Sequence, residues 1–231
     1  LACADCGPTL SFLDAQGQAL AHKEAAINHC IQQLQAGKII AVKAIGGYQL
    51  LVDASHAQAV QRLRQKKHRP AKPFALLAKD ITMIKSLCAV SPPEQLALES
   101  AMAPIVLLKK HPEIIQYNHV APHSDLLGIM LPSSASQHLI MYAFKQPLIA
   151  TSANRSGEPI CINESQALNH LQGIADFYLT HDRAIIRTLD DSIVRIIANK
   201  PRLFRRARGY APTPSKLPTQ QGTLALGGHL K

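Results

Sequence analysis

The 231-residue chain sets 25 Lys and Arg against 15 Asp and Glu, a formal charge of +10, with 47% hydrophobic and 17% charged residues. That balance belongs to a globular protein able to bury a core in one large domain or two small ones, and the surplus of cations points to an anionic partner such as nucleic acid, a nucleotide or an acidic protein. No apolar run reaches bilayer length and no charged-then-apolar leader opens the chain, so a cytoplasmic protein is expected; with no Trp and 4% aromatic residues, a single-strand binder built on stacked bases is disfavoured.

In chain order, Cys3 and Cys6 come first, in C-A-D-C-G followed by Pro8. This is half of a zinc-binding spacing. A structural site takes four ligands and no second pair follows, so no complete zinc site is expected. The pair reads either as an accident of composition or as the end of a zinc module in a longer protein. Cys30, Cys88 and Cys161 are isolated and read as buried, inert thiols.

Residues 22–36 place Ile27, Cys30, Ile31 and Leu34 on one helical face, stopped by Gly37. IIAV at 39–42 is a short strand, and KAIGGYQLLVDA is a glycine turn into a second strand ending near Asp53. Ser55 is expected to cap a helix carrying Ala59, Val60 and Leu63, which breaks at Pro70. FALLA at 74–78 is strand-like. Two short helices follow, the second opened by the capping box S-P-P-E. PIVLL, LLGIML and PLIAT are buried strands, with a helix over 135–144 before PLIAT and another over 164–171 after it. FYLT, SIVRIIA and RLFRRA are later strands, the last two joined by Asn199, Lys200 and Pro201. APTPSKLPTQQG at 211–222 reads as a linker. The expected organisation is a remnant over 1–17, one α/β domain with a mixed sheet over 18–210, and a linker with the start of a further domain over 211–231.

Four stretches can carry chemistry. Lys66, Lys67, Arg69 and Lys72 lie at a helix-to-strand junction pinned by Pro70 and Pro73, where fixed cations suit a polyphosphate and a solvated helix end is the plain alternative. Thr151, Ser152 and Asn154 follow a buried strand, at the position where open α/β sheets meet ligands; a simple polar turn also fits. Asp190 and Asp191 suit either a water-bridged Mg²⁺ or a solvated ion pair. Arg205, Arg206 and Arg208 lie on an edge or terminal strand, where charge also serves to block aggregation. His181 beside Asp182 reads equally as part of a site or as a strand-end hydrogen bond. There is no phosphate-binding P-loop, nucleophile elbow or dinucleotide fingerprint.

Together, K-x-R-P-x-K-P-F-A at 67–75, T-S-A-N at 151–154 and R-R-A-R-G-Y-A-P at 205–212 resemble the YrdC-like domain. The resemblance is closest to the form carried by the hydrogenase-maturation carbamoyltransferases of the HypF type. AVKAIGGYQLLVDA, LGIMLP and HDRAIIRTLDDSIVR extend it over nearly the whole chain. It implies an open, twisted, mixed sheet flanked by helices, with a basic concave face. In such proteins zinc knuckles precede this domain and a larger domain follows, so Cys3 and Cys6 would be half of a structural Zn²⁺ site.

The implied chemistry uses ATP with Mg²⁺ and carbamate derived from carbamoyl phosphate. It gives carbamoyl-adenylate and pyrophosphate, and then carbamoylates the terminal cysteine of a HypE-type maturation protein. Lys67 and Arg69 would grip the triphosphate, with Lys72 in support. Ser152 and Asn154, beside Thr151, would meet phosphate and Mg²⁺ or ribose. Arg205 or Arg206 would form a second cationic wall, and Ser192, following Asp191, would bring a hydroxyl near the nucleotide. Lys43 would suit carbamate, and Lys66 would be left to solvent. A threonylcarbamoyl-adenylate synthase of tRNA modification and a double-stranded RNA-binding module are the alternatives, the second disfavoured by the lack of any RNA-binding signature.

Overall fold

The computed structural model describes residues 7–155 and 157–212; the expectations for Cys3, Cys6 and 213–231 lie outside the described residues. The chain runs β1 (Leu10–Leu13), β2 (Ala19–His22), α1 (Lys23–Gln35), β3 (Ile40–Lys43), β4 (Tyr48–Asp53), α2 (Ala57–Lys66), β5 (Ala75–Leu77), α3 (Ile81–Leu87) and β6 (Cys88–Ala89). It continues α4 (Pro92–Leu98), β7 (Ile105–Lys110), β8 (Leu126–Met130), α5 (Ala135–Phe144), β9 (Leu148–Ser152), α6 (Glu164–His170), β10 (Phe177–His181), β11 (Ile193–Ile197) and β12 (Lys200–Arg205).

All the strands join one mixed sheet in the order β12-β11-β7-β8-β5-β9-β4-β3-β10-β1-β2, with β6 beside β7. The pairs β3–β10, β5–β8 and β7–β11 are parallel. The central strands are apolar on both faces because helices cover both. Ile39, Ala41, Leu50, Val52 and Ile149 point toward Val60 and Leu63 of α2. Their neighbours Ile40, Val42, Leu51 and Leu148 point the other way, into a cluster with α1 and α5. Each fully buried Leu or Ile contributes about 1.5–3 kcal/mol, and this two-sided burial is what holds the sheet. No helix among the described residues is long and apolar enough to cross a membrane.

Most elements fall where the sequence pattern places them, with four differences. The α2 N-cap is His56, whose ring accepts from Ala59 N–H, while Ser55 donates to Asp53 instead. The aspartate two residues back offers Ser55 a tighter local turn than the helix end does. Lys200 and Pro201 belong to β12; the hairpin turn is Ala198-Asn199, with φ of 50° and 59°. The sheet begins at Leu10 rather than at residue 18, because β1 pairs antiparallel with β10 and buries Phe12 completely. Lys66 is tied down: its ammonium lies 3.8 Å from the Asp176 carboxylate and donates to Ile174 O.

Strand register brings chemistry-bearing residues to one end of the sheet. Gln49 pairs with Ser152, Lys43 with Tyr48 and Ala75 with Ala150. The start of β4, the ends of β3 and β9 and the approach to β5 therefore meet there.

Candidate functional site

The first wall grows from the end of α2. Lys67 is the C-cap and His68 turns left-handed at φ 48°, which lifts the following backbone off the helix path. The Lys67 ammonium donates to Ser152 O at 2.7 Å, Asn154 O at 2.9 Å and Asn154 Oδ1 at 3.3 Å. The residue is 5% exposed. Burial, then the neighbouring charge of Arg69 and more weakly that of Lys72, lowers its pKa to about 8.

Arg69 stands beside it. Its guanidinium donates to Thr151 Oγ1 at 3.2 Å, to Lys72 O at 3.2 Å and to Pro73 O, and lies 4.6 Å from the centre of the Phe74 ring. Burial, followed by the charges of Arg64 and Arg205, pulls its pKa down to about 10. The loop from 68 to 73 is held by Arg64, which the sequence pattern did not single out. Its guanidinium donates to the carbonyls of Arg69, Lys72, His119 and Val120 and shares the Phe74 ring at 4.5 Å. The available signal was an arginine at 64, next to Leu63 and four residues after Val60, on the face of α2 that the hydrophobic pattern turns inward.

The second component is the end of β9. Thr151 is buried, the Ser152 hydroxyl donates to Asn154 Oδ1 at 2.8 Å, and the Asn154 amide donates to Glu158 O at 2.6 Å. T-S-A-N is thus a hydrogen-bonded turn whose carbonyls orient Lys67. Lys72 is exposed, but its charge reaches Lys67 and its carbonyl serves both arginines.

Lys43 is 6% exposed at the end of β3, donates to His181 O at 2.7 Å and has a lowered pKa, chiefly through burial. The Tyr48 hydroxyl on β4 and the Thr180 hydroxyl on β10 meet 2.7 Å apart across β3. The turn between Lys43 and Tyr48 admits no side chain at Gly46 or Gly47. A Cβ on Gly46 would lie 2.5 Å from Leu189 O, and one on Gly47, at φ 152°, would run into the Ile160 side chain.

The arginine-rich end divides into separate roles. Arg205 donates to Asp191 O at 3.4 Å, and its charge lowers the pKa of Arg69, so the two face a common region. Arg206 is exposed. Two residues expected beside the nucleotide have partners within the protein. Ser192 is fully buried; its hydroxyl donates to Arg208 O at 2.9 Å and accepts from Ala207 N at 2.8 Å, so it fastens the backbone after β12. The Asp191 carboxylate is held by the Arg208 guanidinium at 2.9 Å and by the Gln49 amide at 2.9 Å. The side chains of this ion pair are 13% exposed at Arg208 and 20% exposed at Asp191. Among the described residues no group of three His, Cys, Asp or Glu side chains is placed to hold a metal.

Lys67, Arg69 and Lys43 have one thing in common. Their hydrogen-bond partners are carbonyl and hydroxyl oxygens, whereas Arg62, Lys66, His170 and Arg208 meet carboxylates. A buried cation hydrogen-bonded only to carbonyls and hydroxyls keeps most of its desolvation cost. An anion entering between Arg69 and Arg205 would offset that cost for the cations it meets.

Residues 32–207 match the Sua5–YciO–YrdC family, described as telomere recombination. The chain is similar to the carbamoyltransferase HypF of Synechocystis sp., with 45% identity over 224 residues, covering 96% of this chain and 29% of that protein. It thus spans under a third of that relative's length. It superposes on the crystal structure of full-length HypF in its phosphate- and nucleotide-bound form with a TM-score of 0.86 and 42% identity, covering 92% of this chain and 27% of that one. A human threonylcarbamoyl-AMP synthase is 29% identical over 139 residues, covering 60% of this chain and 50% of its own.

Proposed function

The chain belongs to the Sua5–YciO–YrdC family, and on that premise we propose that it binds MgATP and carbamate and joins them as carbamoyl-adenylate with release of pyrophosphate. The observation that carries this reading is a group of cations, buried Lys67 and Lys43 and part-buried Arg69, whose hydrogen bonds go to carbonyl and hydroxyl oxygens. A triphosphate supplies the missing negative charge and a carboxylate-like acid supplies the rest.

In the reaction a carbamate oxygen attacks the α-phosphorus of ATP, and the bond from that phosphorus to the bridging oxygen of the leaving pyrophosphate breaks. Such a displacement asks the protein for alignment and charge neutralisation rather than for a nucleophile. Lys67, fixed by the T-S-A-N carbonyls, and Arg69, fixed by Thr151 and Phe74, would meet the triphosphate. Arg205 and Arg206 would close on it from the other side. Thr151, Ser152 and Asn154 would offer hydroxyl and amide groups to the same oxygens, Lys72 would add charge, and Lys43 would be the cation for the small acid. Mg²⁺ enters as part of MgATP. The HypF relatives are called carbamoyltransferases, and transfer onward to the terminal cysteine of a HypE-type partner is the corresponding proposal for a longer protein.

Pyrophosphate exchange into ATP tests the reading. Exchange should depend on carbamate, supplied directly or from carbamoyl phosphate by the intact longer protein. It should fall at least tenfold in Lys67→Ala and Arg69→Ala, by loss of charge-assisted contacts each worth roughly 1.5–3 kcal/mol. Exchange driven only by threonine with bicarbonate would replace this reading with that of the threonylcarbamoyl-AMP synthases.

A further inference from the structure

Four side chains outside the cationic wall form one continuous, directional hydrogen-bond chain. It begins at the N-terminal turn of α5, where Gln137, 2% exposed, accepts from Ser133 N at 2.8 Å through Oε1. The Gln137 amide donates to Gln49 Oε1 at 2.8 Å, and the Gln49 amide donates to Asp191 Oδ2 at 2.9 Å. Asp191 Oδ1 receives the Arg208 guanidinium, which also donates to Ala103 O at 2.9 Å and Met102 O at 3.3 Å.

The elements it joins are far apart in the sheet. Four strands (β7, β8, β5 and β9) stand between β11, which follows Asp191, and β4, which carries Gln49. Local pairing therefore does not set the distance between them. Gln49 is the register partner of Ser152, whose carbonyl holds Lys67, and Asp191 O receives Arg205. The central Gln49–Asp191 link thus joins the two sides of the region that Lys67, Arg69 and Arg205 face.

We propose that the relay Gln137–Gln49–Asp191–Arg208 is a positioning device that sets the spacing between the Lys67–Arg69 wall and the Arg205 wall, and so governs alignment of the bound triphosphate. The proposal rests on the nucleotide reading above. None of the four need touch substrate. The order of donors matters because each glutamine amide presents its NH₂ to one neighbour and its oxygen to the other, and the Asp191 carboxylate can only accept.

Directionality supplies the test. In Gln137→Glu the Gln49 amide must turn its NH₂ toward the carboxylate introduced on α5, leaving its oxygen facing Asp191. In Asp191→Asn the Arg208 ion pair is lost. Combined, the two substitutions rebuild the chain in reverse. The introduced carboxylate accepts from Gln49, the Gln49 oxygen accepts from the introduced amide before β11, and the oxygen of that amide accepts from Arg208. MgATP affinity by calorimetry, melting temperature and pyrophosphate exchange at saturating MgATP would be measured on the same 231-residue chain.

Each single variant should lower the maximal exchange rate about tenfold, the effect of one broken buried hydrogen bond. MgATP affinity should change less than about threefold, and the double variant should recover to within about threefold of the parent. Gln49→Met, which cuts the relay without changing charge, should match the singles, and adding Gln137→Met to it should cost little more. Multiplying losses in the Gln137→Glu, Asp191→Asn double variant, or a Gln49→Met protein with the parental rate, would overturn the relay. If the parent shows no exchange with any acid, the nucleotide reading fails. The relay is then judged by recovery or further loss of melting temperature in the reversed double variant.

Discussion

At the level of single residues, Lys67 combines burial, cationic neighbours and carbonyl partners. Folding lowers its pKa from 10.5 to about 8. Below pH 8 the folded protein carries the cost of a buried ammonium. That cost is relieved as pH rises from about 8 toward 10.5, because over this interval the unfolded chain binds the proton and the folded one does not. Lys67 therefore contributes a stability increment that grows with pH in that window. A phosphate beside Lys67 would restore the preference for the charged form, so MgATP should bind with proton uptake between about pH 8 and 9, and its affinity should fall as pH rises through about 8. Calorimetry in two buffers of different ionisation heat measures the uptake; Lys67→Met should abolish it, and binding with no proton taken up by the parent would refute the assignment. The sequence pattern showed Lys67 and Arg69 as pinned cations because prolines are local. It did not show Ser192 as a backbone fastener, since its partners Ala207 and Arg208 come into reach only when β11 and β12 pair.

At the level of elements, apolar runs, capping residues and glycine stops place the helices and most strands. Glu94 reaches back to Ser91 N at 2.8 Å, as S-P-P-E requires, and Asn163 accepts from Gln166 N at the start of α6. Where the pattern slipped, a nearby group competed better. Ser55 bonds to Asp53, and the β11–β12 turn closes one step earlier than expected because Lys200 is drawn into register with Ile197. The cost is a left-handed alanine at 198, φ 50°. Such a residue costs about 1–2 kcal/mol, and Asn-Gly fits a turn with two left-handed residues best. Ala198→Asn with Asn199→Gly should stabilise the chain by about 1 kcal/mol and raise the melting temperature by roughly 2–4 °C. A lower melting temperature by scanning calorimetry would show that the turn residues serve some other end.

At the level of the whole molecule, β1 and β2 extend the sheet beyond β10. Phe12 is fully buried and stacks on Phe177 with ring centroids 5.3 Å apart. Phe12→Ala should cost about 3–5 kcal/mol in denaturant unfolding; a loss below about 1 kcal/mol would mean that the cooperative unit starts after this hairpin. The family match covers residues 32–207 and leaves β1 and β2 outside it. By itself the sequence determined the mixed α/β class, the cationic K-x-R-P-x-K-P-F stretch, the T-S-A-N turn and the burial of Cys30, Cys88 and Cys161, because periodicity, proline and hydropathy act within a few residues. Only the tertiary structure decided that Lys67 rests on the T-S-A-N carbonyls, that Asp191 meets Arg208 and Gln49, and that Arg64 frames the site. Those contacts join residues 5 to 142 positions apart, and their geometry follows from sheet order and coiling, which no local pattern encodes.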